Sequence, residues 1–344
     1  MKKGFLSMTS ITDNDLADME NKLTHYIQNG ISSDSNDFLG EHLISITPDA
    51  SLIRPLERIA DFCGTFVAVD CSTRTLKRAN NWGIYLMRTA HVFVKGREVE
   101  WNYQERLFTA VGDTKTRANF LKDYRLELES ELALNLLKSG DMECRNEYYP
   151  ANYVLLDGAA YFGGRRNFRL SLYEKCEKMG IVLLALSKNS PLLRDEKGRD
   201  LIAKTSLLSP YDIWTYHPVR TADKGKHLFG DISLVKLSEG SRRVFRCDIM
   251  EYLKGRKVEE ILSPLTAVSE DARCLGYPVP LYLAHEFSGP SDTALLHYYD
   301  VVEDRLREAG LSKTLHLEEQ SCSFVDELHG VQYAFRREGI EDYV

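Results

Sequence analysis

Apolar and polar positions along the chain change period several times. Residues 13–30 carry a helical pattern with an N-capping start and a glycine stop, which predicts an amphipathic helix. A second short helix is predicted over "ASLIRPLERIADF" (50–62). From Phe66 the pattern turns to that of strands. The run Phe66-Val67-Ala68-Val69 ends on Asp70, and stretches 82–95 and 99–111 alternate aromatic and β-branched residues as an antiparallel meander would. A long helix follows over 115–138, with Leu121, Tyr124, Leu128, Leu132 and Leu136 on one face. Then come a strand at 153–157, a helix around 166–179 and a strand at 181–186, an α/β alternation. "SLVKL" (233–237) and "RVFRCDI" (243–249) read as paired strands. Helices are expected over 257–276 and about 290–309.

Composition narrows the class. The chain has 344 residues, 43% hydrophobic and 28% charged, as expected of a globular protein with a sizeable core. No apolar run approaches the ~18–20 residues of a membrane span, so no membrane association is expected. The basic start, Met1 to Leu6, is too short to be a secretory leader, and a cytoplasmic location is expected. Seven cysteines without a C-x-x-C pair argue against a disulfide framework or a structural zinc site. The net charge of −7 is unlike a free-standing DNA-binding domain, although an enzyme that gathers carboxylates around cations loses positive charge at its centre.

The two apolar strands that deliver Asp70 and Asp157 carry the strongest chemical signal. Each aspartate alone reads as readily as the start of a turn, Asp-Gly being a common turn dipeptide. Two converging carboxylates would repel one another unless a cation sits between them, and hard divalent ions suit such oxygen ligands. A third carboxylate is sought on the intervening helix, where Glu127, Glu129 and Glu131 crowd "RLELESEL". Glu129 and Glu131 flank its apolar face, and an acidic solvated surface is the plain alternative for all three. "GYPVPLYLAH" places Tyr277 just before a helix begun by Pro280, with His285 inside it. Alone, His285 reads as a satisfied core histidine. Lys188 after the strand in "SKNS", and Arg165, Arg166 and Arg169 after "FGG", are candidates for phosphate contacts or ordinary surface charge. No phosphate-binding P-loop, dinucleotide fingerprint or nucleophile elbow is present.

In their order along the chain these pieces resemble the NurA nuclease family. The likeness spans about Phe66 to Glu286 and rests on V-D-C-S at 69–72, L-L-D-G at 155–158, L-S-K at 186–188 and G-Y-P-V-P-L-Y-L-A-H. It implies an RNase H-like mixed sheet flanked by helices, with an N-terminal helical extension (1–60), a nuclease domain (61–330) and a C-terminal tail (331–344). Asp70, Asp157 and His285 match the family's metal-site residues and Tyr277 its tyrosine near the site. For the helix glutamate, the motif favours Glu129 and the helical-face pattern Glu131. Nucleic-acid contacts fall to Lys188, Arg165 and Arg166.

The implied activity is that of a Mn²⁺- or Mg²⁺-dependent DNase using two ions. It would be a 5′-to-3′ exonuclease and single-strand endonuclease in DNA end processing or defence against phage. A HerA-type hexameric ATPase and a second copy of the chain are the expected partners. The alternative is an inactive RNase H-like subunit that docks on the ATPase ring, and a third option is a metal phosphohydrolase of small nucleotides. Two departures stand out. Cys71 replaces the family's usual glycine after the first aspartate, and "SGDMECRNEYYPAN" lengthens the spacer before Asp157.

Overall fold

The three longest strands come from the segment richest in β-branched and aromatic residues. The computed structural model describes residues 13–29, 44–138, 143–144, 147–148, 152–163, 166–190 and 192–328. They fall into two compact units, Met1–Ser51 with Ser190–Ser209, and Leu52–Asn189 with Pro210–Val344. In the first unit lie helix α1 (Asp13–Asn29) and strand β1 (Ile44–Ile46), which pairs in parallel with β10 (Leu193–Asp195) ahead of helix α4 (Leu201–Leu208). Asp195 is fully buried there and is held by Arg199, whose Nη2 lies 2.6 Å away.

The second unit is built on one mixed sheet of nine strands. Its members are β2 (Ile53–Pro55), β3 (Thr65–Arg78), β4 (Trp82–Lys95), β5 (Glu98–Val111), β8 (Tyr153–Asp157), β9 (Val182–Ser187), β11 (Trp214–Arg220), β12 (Gly230–Lys236) and β13 (Phe245–Met250). Their order is β2-β11-β12-β13-β9-β8-β3-β4-β5. Strands β3, β4 and β5 form the expected antiparallel meander, and β12 pairs with β13 as expected. Only β3–β8 and β8–β9 are parallel, and such pairs need crossovers. Helix α2 (Thr114–Lys138) carries the chain from β5 back to β8, and α3 (Phe168–Met179) carries it from β8 to β9. A two-residue pair, β6 (Glu143–Cys144) with β7 (Glu147–Tyr148), lies in the long spacer.

Three expectations are corrected. Over 50–62 there is no helix, only a single 3-10 turn followed by β2. Pro55 cannot donate inside a helix but is tolerated in an edge strand, which β2 is. Over 257–276 the helix is cut short: α5 (Val258–Leu262) gives way at once to a 3-10 segment, Ser263–Val268, that contains Pro264. Strand β3 does not end at Asp70. It runs to Arg78 because β4 pairs with it throughout, Asp70 opposite Ala90 and Cys71 opposite Thr89.

Helices cover both faces of the sheet. Successive side chains on a strand point to opposite faces. Cys71 packs with Met87 under Leu128 of α2, whereas Asp70, next to it, meets α6 (Val279–Ser288). Helix α7 (Asp292–Glu308) buries Leu295 and Val302 against Leu76, Trp82 and Ile84. From α8 (Ser312–Leu328), Glu318 accepts a hydrogen bond from the Trp82 indole at 2.7 Å. Among the described residues, no helix is long and apolar enough to cross a membrane.

Candidate active site

The site forms where two parallel strands part. Strands β3 and β8 stay in register from Phe66–Tyr153 to Val69–Leu156. Strand β8 then stops at Asp157, and Gly158 turns the chain at φ +104°, a conformation open to glycine, while its N–H donates to Leu186 O at 2.8 Å. Strand β3 continues alone on that side. Cys71 N–H has no β8 partner to bind and donates instead to Glu129 Oε1 at 3.2 Å. The backbone at Cys71 is ordinary β-strand without positive φ, so the missing glycine does not displace Asp70. Burial pushes the Cys71 thiol far up, which makes it a core side chain rather than a nucleophile.

Asp70 is 5% exposed, so its charge needs compensation from within. Its Oδ2 lies 3.0 Å from His285 Nδ1 and accepts from Ser288 Oγ, also at 3.0 Å. His285 and Ser288 are three residues apart on α6, hence on one face. Ser72 Oγ donates in turn to Ser288 O, tying α6 back to β3. The entry to α6 is set by Gly276 at φ +86°, where a Cβ would meet Ser241 Oγ at 2.7 Å. Burial alone would raise the Asp70 carboxyl, but His285, with Lys188 and Arg125 behind it, holds it below the usual carboxylate range.

The neighbouring carboxylates shift the other way. Asp157, 23% exposed, lies 2.8 Å from Lys188 Nζ. Burial raises its carboxyl, Lys188 opposes this, and the nearby charge of Asp70 adds to it. Glu129 is buried and is pushed up to about 8, chiefly by burial, with Arg125 opposing and Asp70 reinforcing. Arg125 Nε and Arg169 Nη2 stand 3.7 and 3.5 Å from its two oxygens. One acidic cluster thus holds a carboxyl drawn below its ordinary range beside two raised above theirs, as expected when like charges share a site.

Other sequence candidates separate clearly. Tyr277 is buried against Phe245, ring centroids 5.1 Å apart, and its hydroxyl makes no hydrogen bond among the described residues. Burial, then the charges of Asp157 and Asp70, drives that hydroxyl well above the ordinary tyrosine range. Glu131 does not join the cluster. Its side chain is 51% exposed and faces Arg106 of β5 at 3.7 Å. The helical-face pattern misjudged it because α2 packs against α3 as well as the sheet, which widens the buried arc to include Glu129. Arg166 lies 3.8 Å from Asp123, whereas Arg165 falls outside the described residues. Arg125 and Ser288 were missed, and each is signalled only by helical spacing from a residue already singled out.

Among the described residues, no three His, Cys, Asp or Glu side chains converge closely enough to hold a metal as placed. Lys188 lies against Asp157, and Arg125 and Arg169 lie against Glu129. The donor set is nevertheless that of a hard divalent cation: carboxylates from adjacent parallel strands with one imidazole. Side-chain cations supply the charge balance such an ion would bring.

This sheet, with its long meander, helices on both faces and acidic residues at the strand split, defines an RNase H-like fold. Solved structures of NurA are similar to it. The crystal structure of the NurA nuclease from Sulfolobus solfataricus aligns over 86% of this chain and 95% of its own, with a TM-score of 0.57 at 17% identity. Another NurA structure aligns over 86% and 98% (TM-score 0.54, 12% identity), and a structure of NurA with manganese over 86% and 98% (0.52, 11%). No protein-family model and no curated protein matches the chain. The chain has a NurA-like fold.

Proposed function

We propose that the chain is a divalent-metal-dependent nuclease that cuts DNA. The observation that carries this reading is the pairing of buried Asp70 with His285 beside Asp157, where β3 and β8 part. A NurA-like fold and the existence of a NurA structure with manganese support it. Asp70, Asp157, Glu129 and His285 would hold Mn²⁺ or Mg²⁺, two ions in the reading carried by the resemblance. Such ions neutralise the phosphate and activate water.

The chain's own groups have definable tasks. Ser288 and His285 fix Asp70 in one rotamer, which pre-orients the carboxylate for its ligand. His285, one-third exposed and engaged with Asp70 through Nδ1, has Nε2 for only one task, to bind the ion or to give a proton to a leaving oxygen. The Tyr277 hydroxyl, held neutral and without a hydrogen bond among the described residues, can donate to a phosphate oxygen. Lys188 is 41% exposed and flexible, so it can release Asp157 and follow the incoming phosphate.

The finer assignment is a 5′-to-3′ exonuclease and single-strand endonuclease in the cytoplasm, acting as a homodimer with a HerA-type hexameric ATPase in end processing or phage defence. A net charge of −7 leaves little general attraction for DNA, which makes delivery by a translocase useful. The contact of Lys188 with Asp157 favours a second reading, an inactive subunit docked on the ATPase ring. Calorimetric titration with Mn²⁺ separates the two, since an inactive subunit shows no carboxylate-dependent binding.

Cleavage of linear single- and double-stranded DNA with Mn²⁺, with and without the ATPase, tests the main reading. Asp70→Asn and Asp157→Asn are each expected to lower the rate more than ~100-fold while circular dichroism stays unchanged. Undiminished cleavage by either variant removes that residue from the site.

A further inference from the structure

Beside the carboxylates the fold builds a second feature, of opposite charge. Lys122 and Arg125 of α2, Arg166, Arg169 of α3 and Lys188 after β9 line one cleft together with Asp157. Its volume is about 80 Å³, room for several waters or one phosphate group, and it opens to solvent. Positive charge there exceeds negative. Among the residues that line it, five are cations and one, Asp157, is a carboxylate. The arginine contacts, 3.5 to 3.8 Å, are longer than hydrogen bonds.

Arg169 shows the imbalance most directly. Its side chain is 2% exposed, yet Nε and Nη2 make no hydrogen bond among the described residues. Leaving such donors unmet in a protein interior is costly, more so on a charged group. Its guanidinium is pushed down to about 10 by burial, with Glu129 opposing and the neighbouring charges of Arg166 and Arg125 adding to it. A tetrahedral dianion would meet these donors in the geometry guanidinium groups favour, and would relieve their mutual repulsion.

We propose that this cleft grips the phosphate at the end of a nucleic-acid strand, seating that end against Asp157 and Asp70. The nuclease reading supplies the substrate class. The cleft supplies the end preference, because a terminal phosphate carries a second negative charge that a bridging phosphate lacks, and five cationic side chains line the cleft. Residues from α2, α3 and β9 thus recognise the terminus, and the β3–β8 split holds the bond beside it.

Binding without divalent ions tests this apart from cutting. The full chain is titrated, at fixed salt, with short internally labelled single strands bearing a 5′-phosphate, a 3′-phosphate, or hydroxyls at both ends. One phosphorylated end is expected to bind about tenfold more tightly than the hydroxyl strand. Arg166→Ala and Lys122→Ala, both on partly exposed side chains, should each cut that advantage to about twofold. Arg106→Ala, on the exposed Arg106–Glu131 pair away from the cleft, should leave it intact. Equal binding of all three strands, or an advantage that survives both cleft variants, overturns the proposal. A chain that grips phosphorylated ends yet cuts nothing overturns the nuclease reading instead.

Discussion

Two buried charge clusters sit on the same sheet and are finished differently. On β13, Arg246 Nε and Nη2 donate to the two oxygens of Asp248 at 2.7 Å each, and Asp248 Oδ2 also accepts from Ala160 N–H at 2.8 Å. Both side chains are buried, and the bidentate geometry satisfies the charges in full. Around Asp70, Glu129 and Asp157 the arginine contacts are long, and among the described residues Arg169 Nε and Nη2 and the Tyr277 hydroxyl make no hydrogen bond. A closed pair stabilises a fold and offers nothing to a ligand. An open cluster costs stability, because its buried polar atoms lack partners within the described fold.

The comparison breaks first at its closed end. Arg246→Met should destabilise the chain by about 3–5 kcal/mol, because it strands a buried carboxylate, and urea unfolding measures it. A loss under ~1 kcal/mol would mean that the pair is not the structural element its geometry indicates.

A smaller effect asks whether an unmet polar atom by itself marks function. His91 on β4 makes no hydrogen bond through Nδ1 among the described residues, and burial alone lowers its imidazole to about 4. Below the ordinary histidine value near 6.5, the unfolded chain binds a proton that the folded chain refuses. Stability is therefore full above pH ~6.5 and falls as pH drops toward 4, by on the order of 2–3 kcal/mol. His91→Phe should flatten that part of the profile without touching cleavage. If cleavage also falls, His91 belongs with the open cluster.

The smallest change in stability is expected for Tyr277→Phe. It removes a hydroxyl that makes no hydrogen bond among the described residues, so unfolding should shift by less than ~1 kcal/mol in either direction. Cleavage should still fall roughly tenfold, which makes it a probe of function without a stability cost. A large loss of stability with normal cleavage would reverse the assignment.

Much of the fold was legible because its signals are local. The meander, α2, and the strands before Asp157 and Lys188 follow from periodicity, and Pro280 marks the first turn of α6. The misread segments share a cause. Pro55 and Pro264 each sit where the apolar pattern still looks helical, and the missing N–H decided otherwise. Asp70 looked like a strand end because the apolar run stops there. Pairing with β4 carries β3 on through polar residues.

The sequence by itself determined which side chains exist to do chemistry and the local geometry that presents some of them. Asp157 closes a strand before a glycine, and Tyr277 and His285 are eight positions apart around a helix start. Which charges meet was decided only by tertiary structure. Asp70 and His285 are 215 positions apart and Cys71 and Glu129 are 58 apart, so no local pattern could join them. Glu129 rather than Glu131 turns inward, toward Cys71 of β3 and Arg169 of α3. The physical reason is range: periodicity reports burial within one element, whereas the partner of a buried charge is set by which elements the shared core brings together.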